Sequence, residues 1–295
     1  MSSRRPFPKF GAFALAGLAG GLWGFTSVRR AGLHRMLRQD VSPRGGNELD
    51  FYLWKQLFLL VFGLMGPLDI TGEENVPPTG GCIIAPNHIS DCDVPAIYTA
   101  LPRWAWFVGK AELFTIPILG NLITNHHAFP IRRSAAGDRA AMKKILDLLG
   151  EGEAVVIYPE GQLSETGILQ EFQEGVAMLA LRAGVPVVPV GISGSQKMLP
   201  YGQVCPRPSF GKIQIRFAKV VDFSNLPTGR HERLHEATHR LRASVVGLLR
   251  EISPEALGEG DAVGSDSAAV DHQEMAAQQS STVAPDSVIG AGAEP

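Results

Sequence analysis

The sequence predicts an α/β domain, and two features of its 295 residues support that class. Along residues 81–252, short apolar runs of strand length alternate with stretches that carry helical periodicity. The chain also contains 33 glycines and 21 prolines, which favour a loop-rich α/β domain over a helical bundle. A chain of this length can enclose one sizeable core, so we expect a single folded domain with an extension at each end.

Six strands and four helices are predicted in that stretch. The apolar runs that predict strands lie at residues 82–85, 104–108, 128–131, 154–158, 185–190 and 212–220. The periodic stretches that predict helices lie at residues 93–101, 138–149, 172–183 and 231–252. Such alternation is typical of a sheet covered by helices.

Charge divides the chain into three parts. Residues 1–44 hold eight Lys or Arg and one acidic residue, Asp40, whereas residues 254–295 hold eight Asp or Glu and no Lys or Arg. We therefore expect an N-terminal membrane-associated helical region at 1–66, a folded domain at 67–253 and an acidic tail at 254–295. The tail has too few large apolar residues to order itself, so we predict that it is disordered.

Two apolar segments near the N-terminus predict contact with a membrane. Residues 10–28 carry no charge, lie between basic flanks and approach the length of about 20 residues that spans a bilayer. We favour a membrane-seated helix, spanning or re-entrant, over a cleaved signal peptide. Residues 51–66, with a polar notch at Lys55 and Gln56, favour an interfacial helix, and the alternative is an ordinary buried helix. Together with the basic head, these segments predict attachment to an anionic membrane surface.

The three cysteines, Cys82, Cys92 and Cys205, form neither a CxxC pair nor an even framework. This spacing argues against a structural zinc site and a secreted disulfide scaffold, and it favours a reducing, cytosol-facing location. We expect Cys92 to be a small packing residue, because a thiolate nucleophile would need a histidine placed to activate it.

A histidine and an aspartate after the first apolar run carry the main chemical signal. In residues 87–93, NHISDCD, His88 precedes Asp93 by five positions. Histidine can take a proton near neutral pH, and a nearby carboxylate fixes the tautomer that leaves one ring nitrogen free. The pattern predicts a general base and its orienting carboxylate acting on a hydroxyl or a water, and a plain surface loop is the alternative.

Two further clusters follow predicted strands. Arg132 and Arg133 leave the strand at 128–131, and their guanidinium groups match phosphate oxygens. The strand at 154–158 ends in Pro159-Glu160-Gly161, where a glycine lets a substrate approach the backbone. A surface charge cluster would also explain the arginines, and Glu160 is as suited to pairing with Arg133 as to contacting an acceptor.

The order of these motifs resembles that of the glycerolipid acyltransferases, a family that includes the 1-acylglycerol-3-phosphate O-acyltransferases. The resemblance covers roughly residues 67–220. It rests on NHISDCD at 87–93, KAEL at 110–113 with Pro117 and Gly120, FPIRR at 129–133, YPEG at 158–161, FQEG at 172–175 and VPVVPV at 185–190. A glycerol-3-phosphate acyltransferase-like sheet flanked by helices is the fold that the resemblance implies.

The resemblance also implies acyl transfer from acyl-CoA or acyl carrier protein to the free hydroxyl of a lysophospholipid, foremost 1-acylglycerol-3-phosphate. In that scheme His88 removes the hydroxyl proton and Asp93 supports its imidazole. The implied substrate-binding residues are Arg133, Arg132, Glu160, Gly161 and Gln162. We expect no metal or other cofactor, a membrane surface as partner and no nucleic acid.

Two positions depart from the family pattern. His127 stands where the family often has glycine, and Leu163 stands where it often has arginine, which weakens the fit to a simple phosphate monoester. A different lysolipid acceptor is therefore the alternative within the same mechanism.

Three other functional classes compete with this interpretation. A metal hydrolase would use residue types that bind divalent cations, namely His88, Asp91, Asp93, His126 and His127, but the neighbouring arginines would repel a cation. A serine hydrolase finds little support, because residues 191–195, GISGS, lack the Gly-x-Ser-x-Gly spacing. A non-enzymatic protein on the same fold would have no need for both His88 and Asp93.

Overall fold

The computed structural model describes residues 48–117, 119–132, 138–209, 211–258 and 261. The predicted helix at 10–28, Arg133 and residues 262–295 of the predicted tail lie outside them. The helices and strands are, in chain order, α1 (Glu48–Met65), β1 (Leu68–Thr71), β2 (Cys82–Pro86), α2 (Asp93–Ala100), β3 (Ala105–Lys110), α3 (Leu119–Asn125), β4 (Ala128–Ile131), α4 (Arg139–Gly150), β5 (Ala154–Val156), α5 (Gly175–Ala183), β6 (Val187–Ser193), α6 (Ser195–Met198), β7 (Ile213–Phe217) and α7 (Arg230–Ile252).

The seven strands form one sheet in the order β1-β7-β6-β2-β5-β3-β4. Every neighbouring pair is parallel except β6 and β7, which are antiparallel. Strand β2 lies at the centre, between β6 and β5. The loops that follow β2, β5 and β6 therefore leave the same edge of the sheet, the edge where α/β folds bind ligands.

The core lies on both faces of this sheet. Along β2 the buried side chains alternate, with Cys82 and Ile84 in one hydrophobic cluster and Ile83 and Ala85 in the other. Helices α1 and α2 cover the first face, and α4, α5 and α7 cover the second. The mixed α/β class predicted from the sequence is thus confirmed.

The predicted elements differ from the observed ones mainly at their ends. The helix predicted from residue 172 begins at Gly175, because the N–H of Gln173 donates to the carbonyl of Pro159 and holds the preceding residues in a loop. The strand predicted over 154–158 ends at Val156, before a turn. Strand β1 was not predicted, since its four residues are too few to show a period.

Helix α1 has a buried face and an exposed apolar face. Trp54, Phe58 and Phe62 pack against the core, whereas Leu53, Leu57, Leu60 and Leu64 are between 45% and 55% exposed. The buried face agrees with the alternative prediction for residues 51–66, an ordinary buried helix.

Lys55 does not face a headgroup region, and the polar-notch interpretation is wrong at this residue. Its side chain is 4% exposed, and its Nζ donates to the carbonyl of Leu101 at 2.7 Å. Burial lowers the pKa of Lys55 to about 8. Among the described helices, none combines the length and apolar character needed to cross a membrane.

The packed core continues past the predicted boundary at residue 253. Residues Pro254–Ala256 form a short 3₁₀ turn, and the carbonyl of Ala256 accepts a hydrogen bond from the N–H of Leu169. Leu257 is buried in the second hydrophobic cluster.

Candidate active site

The chain leaves β2 at a fixed position because Asn87 ties it to the neighbouring strand. The buried Asn87 side chain donates to the carbonyl of Ile192 at 3.0 Å and accepts from the N–H of Ile192 at 2.7 Å. Both bonds cross from the end of β2 to β6. His88, the next residue, therefore begins at the carboxyl edge of the sheet with little freedom in its backbone.

Asp93 closes the loop that contains His88. Its side chain is fully buried at the start of α2, and its Oδ2 accepts from the N–H groups of Ile89 at 2.8 Å and Ser90 at 2.9 Å. The same oxygen lies 3.0 Å from Nδ1 of His88. A helix start is a favourable place for a carboxylate, since the helix dipole presents partial positive charge there. The predicted pairing of His88 and Asp93 is present.

The imidazole of His88 is held on two sides. With the ionised Asp93 as acceptor, the proton is assigned to Nδ1, which leaves the lone pair on Nε2. The ring stacks on Tyr158, with centroids 4.0 Å apart and an angle of 23° between the planes. The His88 side chain is 12% exposed, so a substrate can approach only from a limited direction.

A turn after β5 holds the backbone of His88. The N–H of Gly161 donates to the carbonyl of Tyr158, and Gly161 has a φ of 72°, which favours glycine. Glu160 is 3% exposed, and its carboxylate accepts from the N–H of His88 at 2.7 Å and of Gln170 at 3.0 Å. Burial raises the pKa of Glu160 to about 7. Both carboxylate oxygens of Glu160 are therefore engaged by backbone amides.

A cleft of about 310 Å³ opens beside this turn. Its lining residues are Glu160, Gly161, Gln162, Gln170, Glu171 and Gln173. The amide of Gln162 donates to the side-chain oxygen of Gln170 at 2.7 Å. Three of the five predicted substrate-binding residues thus lie together around one polar cleft adjoining the His88 loop.

Of the two predicted arginines, the described Arg132 does not line this cleft. Arg133 lies outside the described residues. Arg132 is exposed, and its N–H donates to the Asp138 carboxylate, which also caps the start of α4. Strand β4, which precedes the arginines, is three strands from β2, a separation of about 14 Å at the usual strand spacing.

His127 explains one departure from the family pattern. Its φ is 60°, in the left-handed region that glycine adopts most easily. Its ring lies edge-on to Trp104 and Trp106, with centroids 4.5 and 4.7 Å away. Burial, followed by the charge of His126, lowers the pKa of His127. The side chain of His127 therefore packs between two tryptophan rings, a contact that a glycine at this position would not make.

The residues of the metal-hydrolase alternative are not gathered at one point. His126 contacts Trp54 at 4.9 Å between ring centroids, and Asp91 is exposed. Within the described part of the chain, no three His, Cys, Asp or Glu side chains are arranged to hold a metal ion. Burial raises the pKa of Cys92 to about 11, which fits a packing residue and argues against a thiolate nucleophile.

Sequence reasoning missed two residues that complete the loop. Asn87 appears in the sequence analysis only as the first residue of NHISDCD, and Ser195 only as the last residue of 191–195, whose spacing argues against a serine hydrolase. In the structure Ser195 is fully buried, and its hydroxyl donates to Oδ1 of Asp93 at 2.5 Å. The signal in the sequence is Ser193-Gly194-Ser195, two hydroxyl side chains separated by a glycine at the end of a buried strand.

Comparison with known proteins identifies the domain. Residues 67–193 match the family model described as Acyltransferase. The chloroplastic 1-acyl-sn-glycerol-3-phosphate acyltransferase BAT2 of Brassica napus is 32% identical over 136 residues, which are 45% of this chain and 39% of that protein. The 1-acyl-sn-glycerol-3-phosphate acyltransferase alpha of Ovis aries is 27% identical over 223 residues, covering 75% of this chain and 76% of that protein.

A solved structure shares the fold. The 1-acyl-sn-glycerophosphate acyltransferase PlsC from Thermotoga maritima has a TM-score of 0.56 and 23% sequence identity, covering 74% of this chain and 87% of that chain. The resemblance drawn from the order of the sequence motifs is confirmed by these matches. Residues 67–193 thus match the acyltransferase family, and relatives of the chain bear the name 1-acyl-sn-glycerol-3-phosphate acyltransferase.

Proposed function

We propose that the protein transfers an acyl group from acyl-CoA or acyl carrier protein to the free hydroxyl of a lysophospholipid, with 1-acylglycerol-3-phosphate as the first candidate and phosphatidic acid as the product. The observation that carries this proposal is the 3.0 Å contact between Nδ1 of His88 and Asp93, which makes Nε2 the ring nitrogen that can take a proton at the carboxyl edge of the sheet. The names of the relatives supply the acceptor.

The chemistry follows from this pair. Nε2 of His88 takes the proton of the acceptor hydroxyl while the hydroxyl oxygen attacks the thioester carbonyl carbon. As the carbon–sulfur bond breaks, the departing thiolate takes the proton back from the imidazolium. Asp93 supports the positive charge that the ring carries in between. A thioester is already activated, so a positioned base is sufficient, and the reaction needs neither a metal nor another cofactor.

The acceptor headgroup is proposed to lie between the cleft beside Glu160 and the arginines that follow β4. Arg133, helped by Arg132, binds the phosphate, because a guanidinium offers paired donors to its oxygens. Gln162 lines the cleft and offers an amide to headgroup oxygens, while Glu160 positions the His88 backbone. A different lysolipid remains the alternative acceptor, because Leu163 carries no charge at a position where the glycerolipid acyltransferases often have an arginine.

Membrane association is proposed to involve helix α1. Its exposed leucines, at positions 53, 57, 60 and 64, form one stripe at helical spacing. A lipid surface would cover that apolar stripe, and lysophospholipid acceptors reside in such a surface. The basic residues at 1–44 would add attraction to anionic headgroups, and we place the enzyme on the cytoplasmic face of the membrane.

A direct assay tests the proposal. Purified full chain is offered a panel of lysolipids together with labelled acyl-CoA or labelled acyl carrier protein, and products are identified by mass. We expect labelled phosphatidic acid from 1-acylglycerol-3-phosphate, at a rate that chelating agents leave unchanged. His88→Ala should lower the rate by about 100-fold or more, the contribution usual for a general base.

The matched control is His239→Ala, which removes an exposed histidine from α7. It should keep the parental rate. Consumption of thioester by His88→Ala at the parental rate, with acceptor present, would overturn the assignment of the base. Acylation of another lysolipid in preference to 1-acylglycerol-3-phosphate would replace the first acceptor by the alternative.

A further inference from the structure

The buried hydroxyl of Ser195 reaches the acid–base pair from a distant part of the chain. Ser195 begins α6, directly after β6, and is 102 residues from Asp93 in sequence. Gly194, before it, has a φ of 87°, and a Cβ there would meet the backbone oxygen of Lys212. The turn at Gly194 therefore has room only for glycine, and it directs the chain so that Ser195 faces the loop after β2.

The two oxygens of Asp93 have different partners. Oδ2 is surrounded by three donors, the N–H groups of Ile89 and Ser90 and Nδ1 of His88. Oδ1 accepts from the Ser195 hydroxyl at 2.5 Å. Since Asp93 is fully buried, Oδ1 would lack that donor if the hydroxyl were removed, and an unsatisfied buried carboxylate oxygen is costly.

We propose that Ser195 is a positioning residue of the acyl-transfer reaction: by binding Oδ1 of Asp93 it keeps the carboxylate turned so that Oδ2 faces His88. This inference rests on the proposed function, because it assigns Ser195 a part in the same proton transfer. Ser195 does not touch substrate and acts only through Asp93.

A purely structural role is less suited to the observed contacts. The segment that carries Ser195 is already tied to the His88 loop by Asn87, which makes two bonds to Ile192, and by Ser90, whose hydroxyl donates to the carbonyl of Leu199 at 2.8 Å. These bonds remain when the Ser195 hydroxyl is removed. Loss of that hydroxyl should therefore affect the acid–base pair more than the placement of the loop.

Ser195→Ala and Ser193→Ala form a matched pair of variants. Ser193 is also buried, two residues earlier, but its hydroxyl has only contacts of 3.5 Å, with Gln214 and with the carbonyl of Ile252. For Ser195→Ala we expect kcat to fall by about 10- to 100-fold, the usual worth of a hydrogen bond to a charged group, with the acceptor KM within about twofold. Ser193→Ala should keep both constants within about twofold of the parent.

The pH profile separates positioning from structure. The Ser195 hydroxyl draws the negative charge of Asp93 toward Oδ1. Without that donor more of the charge lies on Oδ2, beside the His88 ring, and favours the imidazolium, so the acidic limb of kcat/KM should move to higher pH in Ser195→Ala. A structural defect would lower the whole profile without moving that limb.

Two conservative variants keep the test decisive if Ser195→Ala does not fold. Ser195→Thr retains a hydroxyl donor, whereas Ser195→Cys places a weak donor in nearly the same space. Greater activity for Ser195→Thr than for Ser195→Cys supports the proposal, and equal activity overturns it. A parental kcat and an unmoved acidic limb in Ser195→Ala also overturn it. Absence of acyl transfer by the parent protein would instead contradict the proposed function.

Discussion

Replacing Asp93 by asparagine removes one charge from the site while leaving the shape of the loop in place. The N–H groups of Ile89 and Ser90 and Nδ1 of His88 all face Oδ2, so the amide oxygen must occupy that position. The new amide nitrogen then faces the Ser195 hydroxyl, which can rotate to accept its hydrogen bond. The loop and the tautomer of His88 should therefore survive, and only the support for the imidazolium is lost.

The size of that loss can be bounded from the geometry. At an effective dielectric constant of about 20, two unit charges separated by the 3.0 Å of the His88–Asp93 contact attract by roughly 5 kcal/mol. This attraction is the upper limit of the free energy that the substitution can remove. Exchanging a charged for a neutral hydrogen bond costs at least about 1 kcal/mol. We expect a loss of about 2 to 4 kcal/mol, which lowers kcat by about 30- to 1,000-fold.

The assay is steady-state acyl transfer with saturating thioester, combined with thermal unfolding of each variant. Asp91→Asn is the control, because it removes the same charge from an exposed position in the same loop. We expect near-parental kcat for Asp91→Asn and near-parental unfolding temperatures for both variants. If Asp93→Asn kept kcat within threefold of Asp91→Asn, the argument that Asp93 supports a charged imidazole would be refuted.

Two further perturbations test other parts of the site. The pKa of Glu160 is about 7, above its ordinary value of 4.5. Between pH 4.5 and 7 the folded protein therefore holds a proton that the unfolded chain has lost. The free energy of unfolding should fall by up to about 3 kcal/mol as pH rises through that window. Glu160→Gln should remove this decrease in denaturation curves, and an unchanged pH dependence would contradict it. Changing both Leu57 and Leu60 to serine should weaken binding of α1 to lipid by about 2 kcal/mol, roughly 30-fold, because each leucine is about half exposed and has apolar surface left to bury. Acceptor kcat/KM should then fall in vesicles and stay unchanged with a short-chain soluble acceptor, whereas the control Val220→Ser, with the same 45% exposure as Leu57, should behave as the parent in both.

The sequence was sufficient to predict the α/β class and the acid–base pair because both depend on local pattern. Apolar runs of strand length alternate with helical periodicity, and His88 and Asp93 are only five residues apart. A carboxylate at the start of α2 can reach back to the preceding loop without help from distant elements. The prediction of the acid–base pair therefore depends on the short separation of these two residues in the sequence.

The supporting contacts could not be predicted in the same way, because they depend on strand order. Asn87 meets Ile192 only because β6 lies directly beside β2, although the two strands are separated by about 100 residues. Hydrophobic periodicity predicts which residues face the core, but it does not determine which strands are neighbours. For the same reason Ser195 was assessed by its own motif instead of by its contact with Asp93.

Because β2 lies between β5 and β6, the chain segments that follow these two strands contact different parts of the His88–Asp93 pair. The loop after β5 holds the backbone of His88 through Glu160, while the chain after β6 holds the carboxylate of Asp93 through Ser195. Neither contact can orient the imidazole alone, since one fixes where the ring is attached and the other fixes the group that the ring faces. A substitution at Ser195, which does not line the cleft, should therefore leave substrate binding largely intact and lower the rate of the chemical step, which is the behaviour expected of a residue that acts through the base.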